Sequence, residues 1–326
     1  MKILKRTLLL LTSMLLLVGC ASGGDKEPVT DTAQDTQAPA VTTEPAPVYP
    51  PIDPPTAEQI AGHEHLLLWP ENNIPYFIEN DEKGLMPTVR AYLCEGASSS
   101  VVIFPGGGYF QLSDVSEGVD IAKAYNDAGY SAFVVNYRYE PYDGRAILAD
   151  GQRAVQYVRY FADTFGIDPD KIALCGFSAG GHLSVMVAEH PVTENIAADD
   201  IGAVRSTPDA CILAYPVTTL GEGTFETMPR IFLGENLDNA EETAKYSYPH
   251  SIGTMPPTFV FYSELDQFVN FEANSIAFAD AMTAAGRDVT IAAYKDGGHG
   301  IGLGVQYADY ARWHADSVTF LKNHGF

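Results

Sequence analysis

The stretch K-I-A-L-C-G-F-S-A-G-G-H-L-S, residues 171–184, constrains the fold more than any other part of the chain. It opens with an apolar run, Ile172 to Cys175, typical of a strand buried in a parallel sheet. It closes with an apolar segment that suits a helix packed on such a sheet. Between them stands G-F-S-A-G, residues 176–180, the G-x-S-x-G spacing of a serine on a sharp strand-to-helix turn. This context predicts that Ser178 projects above the end of a parallel sheet.

The two glycines of this turn have a steric reason. A serine at the tip takes a sparsely populated backbone conformation, and the residues two positions away then crowd each other. Gly176 and Gly180 fit because they carry no Cβ. The Ala179 N–H lies in the first turn of the predicted helix, where it lacks an intrahelical partner and favours negative charge nearby. The turn therefore suits a nucleophilic Ser178 with Ala179 as one donor to an oxyanion.

A second glycine-rich turn, P-G-G-G-Y at residues 105–109, follows another strand-like run. Consecutive glycines let the backbone approach a ligand with its N–H groups facing it. A phosphate cradle would need G-x-G-x-x-G or G-x-x-x-x-G-K-[ST], and Gln111 breaks the first while no Lys-Ser/Thr follows. An oxyanion hole upstream of the serine fits better. We expect Gly107 and Gly108 to donate with Ala179, each contributing on the order of 3 kcal/mol to the transition state.

Strand-like and helix-like segments alternate along most of the chain, which calls for an α/β fold with a mostly parallel central sheet and helices on both faces. The predicted strands are 65–69, 88–93, 100–104, 131–136, 172–175, 209–214, 257–262 and 289–294, the first two antiparallel. Residues 215–255 interrupt the alternation with prolines and aromatic rings, so we expect an insert, or lid, after the sixth strand. Its rings could stack on a sugar or aryl group, or pack within the insert.

Catalytic groups of open α/β sheets gather at the carboxyl ends of the strands. Three such ends carry Ser178, Asp266 and His299, in the chain order serine, acid, histidine. A serine hydroxyl alone is a poor nucleophile, so an imidazole must take its proton and a carboxylate must orient that imidazole. We therefore predict these three as the catalytic residues. This chemistry requires no metal and no cofactor.

Other residues compete for two of these roles. Glu264 lies two residues before Asp266, where the strand is expected to continue. Asp296 is too near His299 in sequence to be placed by the other strand end. Both remain alternatives to Asp266. The alternative bases are His182, His250 and His314.

The acidic composition of the chain limits the classes of molecule that it can bind. Acidic residues outnumber basic ones by 42 to 19, for a formal net charge of −23, so nucleic acid and anionic lipid are disfavoured. Cys94, Cys175 and Cys211 have neither a zinc-site nor a disulfide-framework spacing. The last two lie in apolar strand-like runs and are expected in the core.

Four motifs carry a family resemblance. They are P-G-G-G-Y at 105–109, N-Y-R at 136–138, D-P-D-K-I-A-L-C-G-F-S-A-G-G-H-L at 168–183 and G-G-H-G at 297–300, with L-W-P at 68–70 in support. Together they resemble bacterial acetyl esterases of the α/β-hydrolase superfamily, in the branch labelled acetylxylan esterase or BD-FAE-like. The resemblance covers about residues 60–326. Pro105 stands where the HGGG lipolytic esterases have His, which points away from that branch.

The resemblance implies hydrolysis of short-chain acyl esters, especially acetyl groups on xylan or xylo-oligosaccharides, through an acyl-Ser178 intermediate. The implied partner is an acylated carbohydrate or a small ester. Three alternatives remain: a feruloyl esterase, an exopeptidase on the same fold, and a non-catalytic glycan-binding lipoprotein. An exopeptidase usually needs an acidic clamp or an added propeller domain, and the sequence gives no sign of either.

The amino terminus predicts export. A short basic segment and an apolar run precede L-V-G-C at 17–20, which resembles a bacterial lipobox. We therefore predict a lipoprotein signal peptide at 1–19, a lipidated Cys20 with a disordered tether at 20–56, and the α/β-hydrolase domain at 57–326. The alternative is an ordinary secretory signal with a chance cysteine. On the lipoprotein reading the domain sits at the extracellular face of the bacterial cell membrane, touching it only through the lipid.

Overall fold

The computed structural model describes residues 51–221, 223–225, 227–250 and 252–326, which contain one eight-stranded sheet. The predicted signal peptide, Cys20 and nearly all of the predicted tether lie outside these residues. The strands are β1 (Leu66–Leu67), β2 (Thr88–Tyr92), β3 (Ser100–Phe104), β4 (Ser131–Asn136), β5 (Ile172–Phe177), β6 (Ala210–Ala214), β7 (Thr258–Ser263) and β8 (Val289–Tyr294). Their order is β1-β2-β4-β3-β5-β6-β7-β8; β2 runs antiparallel to β1 and β4, and the other pairs are parallel. The predicted mostly parallel sheet is present.

Helices alternate with the parallel strands. They are α1 (Ala57–Ala61), α2 (Asp120–Asp127), α3 (Gly144–Tyr160), α4 (Ala162–Phe165), α5 (Ala179–Glu189), α6 (Thr227–Leu233), α7 (Ala240–Lys245), α8 (Ala277–Ala284) and α9 (Trp313–Asn323). Single π-helical turns, Val115–Val119 and Glu272–Ile276, lead into α2 and α8. In the part of the chain described here, no helix combines the length and apolarity needed to cross a bilayer.

The core lies on both faces of the sheet because alternate residues of a strand point in opposite directions. In β3, Val102 belongs to the cluster that contains side chains of α3 and α5. Its neighbour Val101 belongs to the cluster that contains side chains of α2 and α9. Cys175 and Cys211 are buried in these clusters as predicted, whereas Cys94 is half-buried.

The predicted insert after the sixth strand contains α6 and α7. Part of its aromatic content packs inward: the Phe232 ring lies 4.9 Å from His182 and 5.2 Å from Tyr246. Phe225, in contrast, is 47% exposed. Packing of insert rings therefore occurs, while stacking of Phe225 on a sugar or aryl group stays a prediction.

Candidate active site

Ser178 forms the turn between β5, which ends at Phe177, and α5, which begins at Ala179. Its φ of 52° and ψ of −113° place it in a region that L-residues rarely occupy. The Ser178 N–H donates to the Ala214 carbonyl at 3.0 Å, which ties the turn to the end of β6. The neighbouring strand therefore helps to hold the strained conformation.

The glycines of the turn are required sterically, as the sequence predicts. A Cβ at Gly176 would overlap the carbonyl oxygen of Gly180, and a Cβ at Gly180 would overlap that of Phe104. These contacts are with backbone atoms, which cannot move aside as a flexible side chain can. The close approach of β3, β5 and α5 thus depends on both residues lacking a side chain.

The structure brings Ser178, His299 and Asp266 together from three strand ends. The Ser178 hydroxyl donates to His299 Nε2 at 2.8 Å, and His299 Nδ1 donates to Asp266 Oδ2 at 2.7 Å. The carboxylate can only accept, so it fixes the proton of the neutral imidazole on Nδ1 and leaves Nε2 free to take one. Ser178 is 8% exposed. The arrangement can activate a hydroxyl that remains within reach of a small substrate.

The alternative acids lie apart from this line. Asp266 is held by its own loop, because its Oδ1 accepts the N–H groups of Phe268 and Val269 at 2.9 and 3.0 Å. Glu264 follows the end of β7 and is exposed. Asp296 accepts two main-chain N–H groups from the segment just before α9. Of the three carboxylates, Asp266 is the one hydrogen-bonded to His299.

The alternative bases also have other partners. His182 is fully buried, accepts the Tyr109 hydroxyl at 2.8 Å and donates to the Tyr246 carbonyl at 2.9 Å. Burial lowers the pKa of His182 to about 4. His250 stacks on a neighbouring imidazole at 5.1 Å, and burial lowers the pKa of His314. Within the described ranges, no group of three or more His, Cys, Asp or Glu residues could hold a metal ion.

The glycine-rich loop lies beside the nucleophile. Gly107 and Gly108 line the same cavity as Ser178 and His299, and their φ values of 132° and 63° are in the region that favours glycine. Among the residues described, neither of their N–H groups donates to another group. The Ala179 N–H opens α5 and has no intrahelical acceptor. Gly107 and Gly108 therefore share the cavity of Ser178, and Ala179 directly follows Ser178 in the turn; their role as oxyanion donors stays a prediction.

A cavity of about 180 Å³ opens above these groups. Its lining is mainly apolar around a polar floor. The residues that line it are Gly107, Gly108, Phe110, Ser113, Glu117, Ser178, Val217, Phe225, Met228, Phe268, Val269, His299 and Gly300. The rings of Phe110, Phe225 and Phe268 are 39%, 47% and 67% exposed and form its rim.

Sequence reasoning missed Glu117 and Tyr215. Glu117 is 1% exposed, and its carboxylate accepts the Gly106 N–H at 2.8 Å and the Tyr215 hydroxyl at 2.6 Å. Burial raises the pKa of Glu117, and the hydrogen bonds from Tyr215 and Gly106 oppose that rise. The Tyr215 ring lies 4.8 Å from that of His299. No local sequence pattern identifies either residue, because an acidic residue near the start of a helix is normally interpreted as a solvent-exposed charge.

Known proteins with related sequences include several esterases. The BD-FAE family model matches residues 92–282. An acetylxylan esterase of Xylanibacter ruminicola is 30% identical over 71% of this chain and 47% of its own length. Endo-1,4-beta-xylanase B of Butyrivibrio fibrisolvens is 31% identical over 66% of this chain and 34% of its own. The chain therefore spans about half or less of the length of these two relatives.

Solved structures agree over more of the chain. An acetyl ester-xyloside bifunctional hydrolase from Caldicellulosiruptor lactoaceticus has a TM-score of 0.76 and 32% identity, covering 81% of this chain and 97% of that one. A thermophilic esterase from Thermogutta terrifontis with bound propionate has a TM-score of 0.64 and 26% identity, covering 82% and 96%. The sheet order and these matches together establish an α/β-hydrolase fold. With more than half of its residues matched by the family model, the chain belongs to the BD-FAE family.

Proposed function

We propose that this chain is a serine carboxylesterase that hydrolyses short-chain acyl esters, in particular acetyl esters on xylan or xylo-oligosaccharides. The observation that carries the proposal is the hydrogen-bonded line from Ser178 through His299 to Asp266, with bonds of 2.8 and 2.7 Å. The main-chain N–H groups beside Ser178 complete the set of groups that acyl transfer needs.

In the proposed reaction, Ser178 Oγ attacks the acyl carbon as His299 Nε2 takes the hydroxyl proton. Asp266 stabilises the imidazolium that forms. The N–H groups of Gly107, Gly108 and Ala179 stabilise the charge on the tetrahedral oxyanion. His299 then gives its proton to the departing sugar alcohol, which leaves an acyl-Ser178 ester. Water, activated by His299 in the same way, releases the carboxylic acid and restores the hydroxyl.

The size of the cavity supports a short acyl group. Its volume of about 180 Å³ and the apolar side chains of Val217 and Met228 suit a small aliphatic chain. The exposed rings of Phe110, Phe225 and Phe268 at the rim could stack on the sugar that leaves. The names of the acetylxylan esterase and acetyl ester-xyloside hydrolase relatives agree with this substrate class.

The alternatives have less support. An exopeptidase would need a free acid to bind the substrate amine, and both oxygens of Glu117, which lines the cavity, already accept hydrogen bonds. A feruloyl esterase would use the rim rings for an aromatic acyl group. Side-by-side assays on acetylated xylan, feruloylated arabinoxylan and aminoacyl anilides separate these activities. Labelling of Ser178 by a fluorophosphonate would exclude a non-catalytic glycan-binding protein.

The decisive test is Ser178→Ala, assayed on an acetyl aryl ester. Loss of the nucleophile is expected to lower kcat about a millionfold. Ser317→Ala is the matched control, because Ser317 is also buried and its hydroxyl donates to the His314 carbonyl within α9. A Ser178→Ala variant that keeps wild-type turnover would disprove the proposal.

The proposal extends to location: a lipidated Cys20 would tether the enzyme to the outer face of the cell membrane. The lipobox-like L-V-G-C at 17–20 supports it. Cells fed an alkyne-bearing fatty acid should label the wild-type protein and leave Cys20→Ala unlabelled and outside the membrane fraction. Cys94→Ala is the control and should label normally. Equal labelling of wild type and Cys20→Ala would contradict the tether.

A further inference from the structure

We infer that Glu117 is a positioning residue for the proposed esterase reaction, holding the oxyanion loop and the ring behind His299 in one fixed relation. The inference rests on the proposed function. Glu117 belongs to the π-helical turn that precedes α2, and it is 1% exposed on the floor of the cavity. Its carboxylate uses one oxygen for each half of the site.

The first contact is with the oxyanion loop. Glu117 Oε2 accepts the Gly106 N–H at 2.8 Å. Gly106 is wedged between this carboxylate and the nucleophile: a Cβ there would lie 2.7 Å from Glu117 Oε2 and 3.1 Å from Ser178 Cβ. The hydrogen bond thus fixes the Pro105–Gly106 peptide plane, which directly precedes the peptide that carries the Gly107 N–H. An anchored Gly106 restricts the positions that the Gly107 and Gly108 N–H groups can take beside the developing oxyanion.

The second contact is with the histidine. Glu117 Oε1 accepts the Tyr215 hydroxyl at 2.6 Å. Tyr215 is 1% exposed, follows β6 directly, and packs its ring 4.8 Å from the His299 imidazole. A displaced Tyr215 ring would remove the packing against His299 and leave the imidazole aligned with Ser178 by the Asp266 hydrogen bond and fewer ring contacts. One carboxylate therefore joins the group that takes the proton to the loop that receives the negative charge.

A structural role alone does not account for this placement. A buried carboxylate is costly unless it is hydrogen-bonded, and an apolar side chain could fill the same volume. Glu117 instead satisfies a backbone N–H and a phenol that both adjoin reacting groups. Interactions that fix donors around the oxyanion act on the transition state more than on the bound ester. The expected signature is a loss in kcat with little change in KM.

The test compares Glu117→Ala and Glu117→Gln with the wild type on p-nitrophenyl acetate. Glu117→Ala should lower kcat about a hundredfold, with KM changed less than about threefold. Its Kd for phenylboronic acid, which forms a tetrahedral anion on the serine, should rise by a similar factor. Glu117→Gln should stay within about tenfold of wild type, since its amide can accept from Gly106 and donate to the Tyr215 oxygen. Glu189→Gln, at a buried residue of the same type at the end of α5, is the control and should match wild type.

A second pair keeps the inference testable if Glu117→Ala fails to fold. Tyr215→Phe removes one hydroxyl that bonds Glu117, and Tyr125→Phe removes one that bonds Ser317 in an equally buried position. Tyr215→Phe should lower kcat several-fold and Tyr125→Phe should not. Equal kcat values for these two variants, or a folded Glu117→Ala with unchanged kcat, overturn the inference. A wild type that neither hydrolyses the ester nor binds the boronate overturns the proposed function as well, whereas turnover that Ser178→Ala abolishes leaves it standing.

Discussion

On the floor of the cavity, Ser178, His299 and Glu117 are held by side-chain hydrogen bonds of 2.6 to 2.8 Å. On its rim, Phe268 is 67% exposed and Phe225 is 47% exposed, and each presents an apolar ring to solvent. The two regions come from different parts of the chain. The floor is built from strand ends and the turns that follow them, and much of the rim comes from the loop after β7 and the insert after β6.

If the proposed function holds, the floor groups carry out the reaction and the rim rings contact the substrate. Acyl transfer depends on distances within a few tenths of an ångström, so its groups need fixed partners. Substrate selection depends on contact area, which exposed rings supply without a rigid hydrogen-bond network. Floor substitutions should therefore change kcat, and rim substitutions should change kcat/KM in a substrate-dependent way.

After Ser178→Ala, the largest effect is expected from Asp266→Asn. The amide cannot hold the proton of His299 on Nδ1 as the carboxylate does, so kcat should fall about ten thousandfold while the fold persists. Steady-state kinetics on an acetyl aryl ester measure it. Glu264→Gln, an exposed neighbour, is the matched control. A comparable loss of kcat in Asp266→Asn and Glu264→Gln would contradict the assignment of Asp266 as the catalytic acid.

An intermediate effect is expected at His182, which joins the loop at Tyr109 to the insert at Tyr246. Its pKa is lowered to about 4 in the folded protein, so the unfolded chain binds a proton first as pH falls below about 6.5. Its contribution to stability is full above pH 6.5 and is lost toward pH 4, by about 3 kcal/mol.

Urea unfolding between pH 7 and pH 4 measures this loss. The stability advantage of wild type over His182→Gln should shrink by about 3 kcal/mol across that range. Gln156→Ala, at a buried side chain that does not titrate, is the control, and its difference from wild type should change far less. A gap for His182→Gln that stays constant with pH would show that His182 does not remain neutral in the fold.

The smallest effect is expected from Phe268→Ala on the rim. The ring is 67% exposed and lies 5.9 Å from that of His299, where the proposed sugar leaving group would meet it. Removing one stacking ring costs about 1 kcal/mol, which should lower kcat/KM several-fold for an acetylated xylo-oligosaccharide and barely for methyl acetate. Leu265→Ala, also exposed and outside the cavity lining, is the control. Equal losses of kcat/KM on the acetylated xylo-oligosaccharide and on methyl acetate would contradict a substrate-binding role for the rim.

Local patterns in the sequence predicted the central sheet and the hydrogen-bonded set of Ser178, His299 and Asp266. Apolar runs of four to six residues locate the strands, and the crowding around Gly176 and Gly180 can be inferred from spacing alone. Ser178, Asp266 and His299 each follow such a strand, so the rule about strand ends brings them together without knowledge of the packing. Their catalytic roles remain a prediction.

The remaining features depend on contacts between distant segments. Glu117 is defined by Gly106, eleven residues earlier, and by Tyr215, which belongs to the insert and is 98 residues away. Neither partner is visible in the residues around Glu117. The helix α6 was not predicted because its sequence contains Pro229, which argues against a helix. The proline is tolerated because it lies in the first turn, where no intrahelical N–H is needed. The helix α1 had a readable signal, the capping box of Thr56 with Gln59.

The left-handed backbone at Ser178 also bears on how this protein can lose activity. Any L-residue placed there inherits an unfavourable conformation of order 1 kcal/mol, whereas glycine adopts it freely. In a Ser178→Gly variant, the folded state would be free of that strain. This gain would offset part of the stability that glycine costs by raising the conformational entropy of the unfolded chain. A protein with glycine at position 178 would thus lack the nucleophile and still fold. Correct folding alone would therefore be no evidence of catalytic activity.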